Sequence, residues 1–300
     1  MSTSVSFIIP CYNSHRTIAD SITSIVNQNT DAMIEILIVD SSINFYTKDI
    51  VKNFNLSNVR YLHSKRRLFA GQARNLGISK MDGNYFALID SDIILPENWT
   101  ESMLDHYNKI KNKCNGKVIL SGTIKNALKT KSYLKDSLLL MLSNKYLYSK
   151  KIQCRKYLPG CNLFFERNLK AQVVFPDVES GEDILMTKKI HNENVELTLI
   201  GPNVVEHQTL KSLYQYSFEL GISSYMISIK GSTTEKFSLP IKLIFGFFYK
   251  LIKVHYNVLI FGSNSIIKLL IYFPGVVIGS LFFHLGILYG LFKRNNNIKR

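Results

Sequence analysis

Four short apolar runs organise the first part of the chain, and each stops at turn-forming or acidic residues. They are residues 5–9, 34–39, 59–62 and 85–89. Helical spacing separates them. Ile18, Ile22, Ile25 and Val26 fall on one face, residues 44–54 allow a second helix, and residues 71–79 read as a helix start followed by a turn. Short apolar runs between turn residues read as buried strands. Strands alternating with helices predict an α/β fold with a mostly parallel, Rossmann-like sheet. Such sheets bind ligands in the crevice past the carboxyl ends of their strands. Here those ends carry Pro10-Cys11-Tyr12-Asn13-Ser14, Asp40-Ser41-Ser42 and Asp90-Ser91-Asp92.

Asp90-Ser91-Asp92 is the most informative of these. Hard cations take carboxylate oxygens together with the phosphates of a nucleotide. The simplest reading is a divalent metal held between the protein and a sugar-nucleotide diphosphate. Asp-Ser-Asp is also ordinary turn chemistry, so the motif needs its context.

The rest of the chain is less regular. Residues 117–122, 158–166, 173–175 and 196–200 look like strands, and residues 183–191 have helical spacing. Residues 134–148, rich in Leu and Tyr between lysines, fit either an amphipathic surface helix or a core helix with a solvated basic face. Composition shifts at Ser238-Leu239-Pro240. Residues 241–261 are apolar and aromatic but include Lys242, Lys250, Lys253 and His255; Gly262-Ser263-Asn264-Ser265 is a turn. Residues 269–292 are long enough to cross a bilayer, which takes roughly 20 residues. The basic Lys293, Arg294, Lys299 and Arg300 follow. A lone crossing from the cytosol would carry that tail outward, against the positive-inside rule. The predicted arrangement is a hairpin of residues 241–261 and 266–292; the alternative lays residues 241–261 in the interface.

The chain has 300 residues with 37 Lys and Arg against 22 Asp and Glu, a net charge of +15. That balance calls for a polyanionic neighbour. No zinc-finger spacing, RNA-binding signature or basic zipper is visible, so no nucleic acid is expected and an anionic membrane is. Cys11, Cys114, Cys154 and Cys161 form no C-x-x-C pair, which suits reduced thiols in the cytosol. Residues 5–9 are too short, and lack the basic leader, for a signal peptide. The expected place is the inner cell membrane with the catalytic domain cytoplasmic.

Ser6-Phe7-Ile8-Ile9-Pro10-Cys11-Tyr12-Asn13, Val39-Asp40-Ser41-Ser42, Ala73-Arg74-Asn75-Leu76-Gly77, Asp90-Ser91-Asp92, Gly160-Cys161-Asn162 and Gly181-Glu182-Asp183 occur in this order. Over about residues 4–225 the chain resembles the GT-A-fold, inverting glycosyltransferases of family 2. The resemblance implies a nucleotide-diphospho-sugar transferase fold in residues 1–237, nucleotide-binding in about 1–100 and acceptor-binding in 101–237, followed by a hydrophobic membrane segment in 238–300.

It also implies roles. Pro10 and Tyr12 would wall the nucleobase pocket, with Asn13 beside them, and Asp40 would accept from a base N–H. Arg74 and Asn75 would open a helix under the nucleotide, Asp90 and Ser91 would meet the ribose, and Asp92 would hold Mn²⁺ or Mg²⁺. His207 could join it at the metal or the diphosphate. Asp183 would be the general base, with Glu182 orienting the site or touching the acceptor, and Gly160, Cys161 and Asn162 would border the acceptor. Ser41 stands where the family often has a second Asp, which leaves the base open. The Q-x-x-R-W motif of processive synthases is absent. The expected activity is non-processive transfer from a nucleotide sugar to a hydroxyl of a lipid-linked or cell-surface glycan precursor. Two readings compete with it. One is a polyprenyl-phosphate glycosyltransferase, whose acceptor is already ionised. The other is a non-catalytic nucleotide-binding membrane protein on the same fold.

Overall fold

The computed structural model describes residues 3–113, 116–127, 132–137, 151–208, 212–230, 246–249, 251–253, 256 and 266–297. The chain divides into two compact units. One comprises Met1–Ile124 and Lys150–Gln208, the other Lys125–Ser149 and Thr209–Arg300.

The first unit is built on one sheet. Its elements run β1 (Ser4–Cys11), α1 (Ile18–Val26), β2 (Met33–Asp40), α2 (Tyr46–Asn53), β3 (Val59–His63), α3 (Ala70–Lys80), β4 (Tyr85–Ile89), β5 (Ile93–Ile94), α4 (Trp99–Lys111), β6 (Val118–Asn126), β7 (Ile152–Cys154), β8 (Asn162–Glu166), α5 (Glu182–Asn192) and β9 (Glu196–His207). Among the described residues the strand order is β3-β2-β1-β4-β8-β6-β9-β5, with β7 on β9. β1 to β4 pair in parallel, and the register sets Cys11 beside Asp40. From β8 onward the pairing is antiparallel, with Ile89 opposite Asn162 and Ile93 opposite His207. Strand–helix alternation in the sequence stops after β4, and parallel pairing stops with it, because a parallel pair needs a crossover connection.

The apolar runs explain the core. Every residue of β4 is buried, and Ile18, Ile22 and Ile25 put one face of α1 against the sheet with no exposure. α4 follows the same logic, with Trp99, Met103 and Tyr107 at helical spacing and 0% exposed. Residues 173–175, read above as a strand, form none. Asn75 holds them instead: its Nδ2 donates to the Phe175 carbonyl at 2.8 Å, and its Oδ1 accepts the Phe175 N–H at 2.9 Å. A side-chain amide thus does for this segment what a neighbouring strand would do.

The second unit contains α6 (Leu213–Lys230) and α7 (Ile266–Asn297). Leu270–Gly290 of α7 is long and apolar enough to cross a membrane by length and composition. Residues 246–249, 251–253 and 256 are helical. Most of the expected hairpin's first arm, its turn at 262–265, and residues 138–148 of the middle segment lie outside the described residues.

Candidate active site

α3 begins where the Phe69 N–H donates to Gln72 Oε1 at 2.9 Å. One turn later stands Arg74, 2% exposed. Its Nη2 donates to Asp90 Oδ1 at 2.5 Å and its Nη1 to Glu182 Oε1 at 2.6 Å. A buried guanidinium persists only with charged, hydrogen-bonded partners. Burial pulls its proton affinity down, but the charges of Asp90, Glu182 and Asp183 outweigh this and keep it cationic. Arg74 therefore ties α3, the end of β4 and the start of α5 together. Both terminal nitrogens face protein carboxylates, which makes it a positioning residue rather than a free phosphate donor.

α5 starts after Gly181, whose φ of 77° is left-handed and suits glycine. This places Glu182 and Asp183 in the first turn. Asp183 Oδ1 accepts the Ile184 N–H at 2.8 Å, and Oδ2 accepts the Gly160 N–H at 2.8 Å. Gly160 is fixed by this contact, since a Cβ there would lie 2.7 Å from Asp183 Cβ and 3.3 Å from Arg74 Nη2. The pKa of Asp183 is pushed up to about 6, first by burial and then by the Glu182 charge, while Arg74 and the two backbone N–H groups pull it down. Three carboxylates around one guanidinium favour a proton on one of them. A carboxylate that titrates close to neutral pH is suited to take a proton and release it.

On the same side of the sheet, the β5–β9 ladder brings His207 to Asp92. Gln208 N–H donates to the Asp92 carbonyl at 2.8 Å, and His207 Nε2 stands 3.5 Å from Asp92 Oδ2. Their side chains are 18% and 34% exposed. A carboxylate and an imidazole that converge and remain reachable fit a divalent ion, with a diphosphate completing the shell. No group of three His, Cys, Asp or Glu that could hold a metal occurs among the described residues.

The loops after β1 and β2 are locked to each other. Asp40 is 0% exposed, and its oxygens accept from Ser42 N–H at 2.9 Å, Ser42 Oγ at 2.6 Å and Tyr61 OH at 2.7 Å. Ser42 Oγ in turn accepts the N–H of Asn13 at 2.7 Å, which holds Asn13 at a φ of 56°. Ser14 and Ser91 hydroxyls meet at 2.7 Å and join the Asp90-Ser91-Asp92 turn to the β1 loop. Pro10 is buried in β1; Tyr12 is 36% exposed, with the Arg67 guanidinium 4.5 Å from its ring centre. Burial pushes the Cys11 thiol far up, so it stays protonated. Arg67 went unassigned in the sequence, although the run Lys65-Arg66-Arg67 before α3 was a visible signal.

Three expected contacts turn inward. Asp40 is wholly covered and serves the loop rather than meeting a base. Asn75 is occupied by Phe175, as described. Asn162 is 0% exposed, with Oδ1 accepting from Gly122 N–H and from Ser121 Oγ, and its neighbour Cys161 is 8% exposed. Of the Gly160-Cys161-Asn162 trio, Gly160 donates to Asp183 and the Cys161 carbonyl accepts the Asp90 N–H at 3.1 Å. Arg74 gathers Asp90, Glu182 and Asp183, Ser91 joins Ser14, and Asp92 meets His207.

A sequence model of glycosyl transferase family 2 matches residues 6–170. The glycosyltransferase GlyG of Streptococcus pneumoniae serotype 4 is 33% identical over 115 residues, which cover 38% of this chain and 37% of that protein. The match to an uncharacterised glycosyltransferase of Rickettsia bellii covers 27% of that protein, so the chain spans about a third or less of these two relatives. WfgD of Escherichia coli, a UDP-Glc:alpha-D-GlcNAc-diphosphoundecaprenol beta-1,3-glucosyltransferase, is 26% identical over 200 residues, 64% of this chain and 71% of that one. Among solved structures, residues 1–349 of TarS from S. aureus in complex with UDP-GlcNAc align with a TM-score of 0.52 at 15% identity, covering 95% of this chain and 90% of that one. GalNAc-T7 with UDP, GalNAc and Mn²⁺ aligns with a TM-score of 0.54 at 14% identity, covering 68% and 43%. The fold is the GT-A fold.

Proposed function

The chain belongs to glycosyl transferase family 2, and on that premise we propose that it is a non-processive, inverting glycosyltransferase. It moves a sugar from a nucleotide-sugar donor to a hydroxyl of a lipid-linked or cell-surface glycan precursor, at the inner membrane and with its catalytic part in the cytoplasm. Residues 1–237 carry the reaction and residues 238–300 the attachment. The observation that carries this reading is Asp183, a half-buried carboxylate whose pKa is raised to about 6 and whose Oδ2 accepts the Gly160 N–H beside Arg74.

In this reading Asp183 takes the proton of the acceptor hydroxyl as its oxygen attacks the anomeric carbon. Inversion needs one such base, and the nucleoside diphosphate leaves from the opposite face. Glu182, Arg74 and Asp90 hold Asp183 and the ribose end of the donor in place. Tyr12, Asn13 and Ser91 line the nucleotide crevice. Asp92 and His207 would hold Mn²⁺ or Mg²⁺, whose bound charge lowers the cost of the departing diphosphate. Support for a uridine donor comes from TarS, solved with UDP-GlcNAc, and from WfgD, named for UDP-Glc and an undecaprenol-linked acceptor.

The test is a donor screen on the full chain with membranes and Mn²⁺, scoring release of nucleoside diphosphate. Turnover of one nucleotide sugar, lost in Asp183→Asn, is expected. Donor binding without turnover across the panel establishes the non-catalytic reading instead. Turnover that survives Asp183→Asn points to an acceptor that needs no base, a polyprenyl phosphate.

A further inference from the structure

α7 has two contrasting faces. Leu270, Ile271, Phe273, Leu281, Leu285 and Tyr289 are 44–70% exposed. At 100° per residue they fall on one side of the helix. The opposite side, with Gly275, Gly279, Gly286 and Gly290, is buried. Two of these glycines are closely covered: a Cβ at Gly286 would sit 2.0 Å from the Phe218 carbonyl of α6, and one at Gly275 would sit 2.2 Å from the Ser137 hydroxyl oxygen. Small residues allow so close an approach. Tyr214 on Phe282 and Phe218 on Tyr289 extend the contact along α6.

The segments packed beside α7 also carry carboxylates. Tyr272 OH donates to Asp136 Oδ2 at 3.2 Å, and Asn126 Nδ2 donates to Asp136 Oδ1 at 2.7 Å. On α6, Gln215 donates to Glu219 at 3.2 Å, one turn from the Gly286 contact. A bilayer crossing takes roughly 20 residues. Every such window within Ile266–Asn297 includes Tyr272 or Gly286. A crossing would therefore draw either Asp136 or the Glu219 turn into hydrocarbon, where a carboxylate is disfavoured.

The sequence flanking α7 is cationic. From Lys236 to the C-terminus there are nine Lys and Arg and no Asp or Glu. In the helical turns before α7, Phe248, Tyr249, Ile252 and Tyr256 are 58–69% exposed, and Lys253 Nζ lies 4.8 Å from the Tyr249 ring centre. Aromatic rings beside lysines match the headgroup level of a membrane.

We propose that α7 lies flat in the headgroup–acyl boundary of an anionic bilayer. Its exposed stripe enters the lipid, its glycine face stays on protein, and it does not cross. This rests on the membrane-bound part of the reading above and not on the transfer chemistry.

Nitroxide labels decide it. The full chain, with Cys114→Ser and Cys154→Ser, carries one label at a time through Leu270→Cys, Leu281→Cys, Leu285→Cys or Tyr289→Cys. It is bound to phosphatidylglycerol–phosphatidylcholine vesicles, and depth is read from collisions with oxygen and a nickel chelate. One common shallow depth of about 5–10 Å is expected at all four positions. Binding is expected to weaken about tenfold or more on phosphatidylcholine alone. A depth profile that reaches the bilayer centre and returns establishes a crossing and overturns the proposal. Labels that stay in water overturn it too, and spin–spin broadening without vesicles would assign the face to a second copy. In the same samples, lost diphosphate release with unchanged depths counts against the transfer reading alone.

Discussion

Arg74, its side chain 3% exposed, meets a carboxylate with each terminal nitrogen at 2.5–2.6 Å, whereas Asp92 and His207 face each other across 3.5 Å with their side chains 34% and 18% exposed. Both sets occupy the first unit, beside the carboxyl ends of its strands. The contrast separates two kinds of polar residue in one crevice. A buried, mutually satisfied set holds shape, because removing one member strands the charge of another. A partly solvated pair at 3.5 Å stays reachable from outside. The motifs of the sequence mix the two kinds: Asp90 belongs to the first and Asp92, two residues later, to the second.

The contrast is sharpest for Asp92→Asn. It is expected to bring metal-supported transfer close to background while the thermal midpoint barely moves, and chelation should do the same to the unaltered chain. Full activity after chelation would remove the metal from the scheme. Asp183→Asn keeps the shape but accepts no proton, and a drop in kcat of about 10²–10⁴-fold is expected with donor binding retained. Loss of donor affinity at unchanged kcat would instead make Asp183 a binding residue. Arg74→Met should act on both properties. Stranding Asp90 and Glu182 costs about 3–5 kcal/mol, visible as a lowered denaturation midpoint along with lost transfer. A stable but inactive Arg74→Met chain would break the distinction drawn here.

Acidity gives a smaller effect. Asp183 must be ionised to act, and its pKa is raised to about 6, so turnover is present above that value and is lost as pH falls through it. The expected slope is about tenfold per pH unit on the acid side. Asp183→Glu should displace the profile, whereas a profile unchanged by it would assign the titration to another group. The smallest effect is His207→Gln, expected to raise the metal concentration needed for half-activity about tenfold or more without altering stability. A shift in stability would place His207 with the Arg74 set.

Much of the fold was legible. The runs at 5–9, 34–39 and 85–89 became β1, β2 and β4 because a largely apolar run has to be covered on both faces, while 59–62, with Arg60 exposed, became the edge strand β3. The order of the short motifs also located Arg74, Asp90, Glu182 and Asp183. Their mutual contacts were not legible, since Arg74 and Glu182 are 108 residues apart and nothing in either segment names the other. Asn75 illustrates the same limit. Beside Arg74 it reads as a ligand contact, yet its amide matches the peptide group of Phe175 100 residues away. Asp40 shows the limit again, since a strand-end carboxylate looks free until Tyr61 of the next strand donates to it. Burial, too, has no signature in a single residue, and it raises Asp183 most.

The distance along the chain from Arg74 to Glu182 has a consequence during synthesis. Ribosomes add about 5–20 residues per second, so roughly 5–20 s separate the emergence of the two partners. β1 to β4 and α3 are complete in that interval, and the guanidinium waits without its second carboxylate. Arg74 then has Asp90 alone, and the start of α5 brings the second carboxylate and the proposed base in adjacent residues. A chain cut short before residue 182 lacks both the second anion of Arg74 and the proposed base.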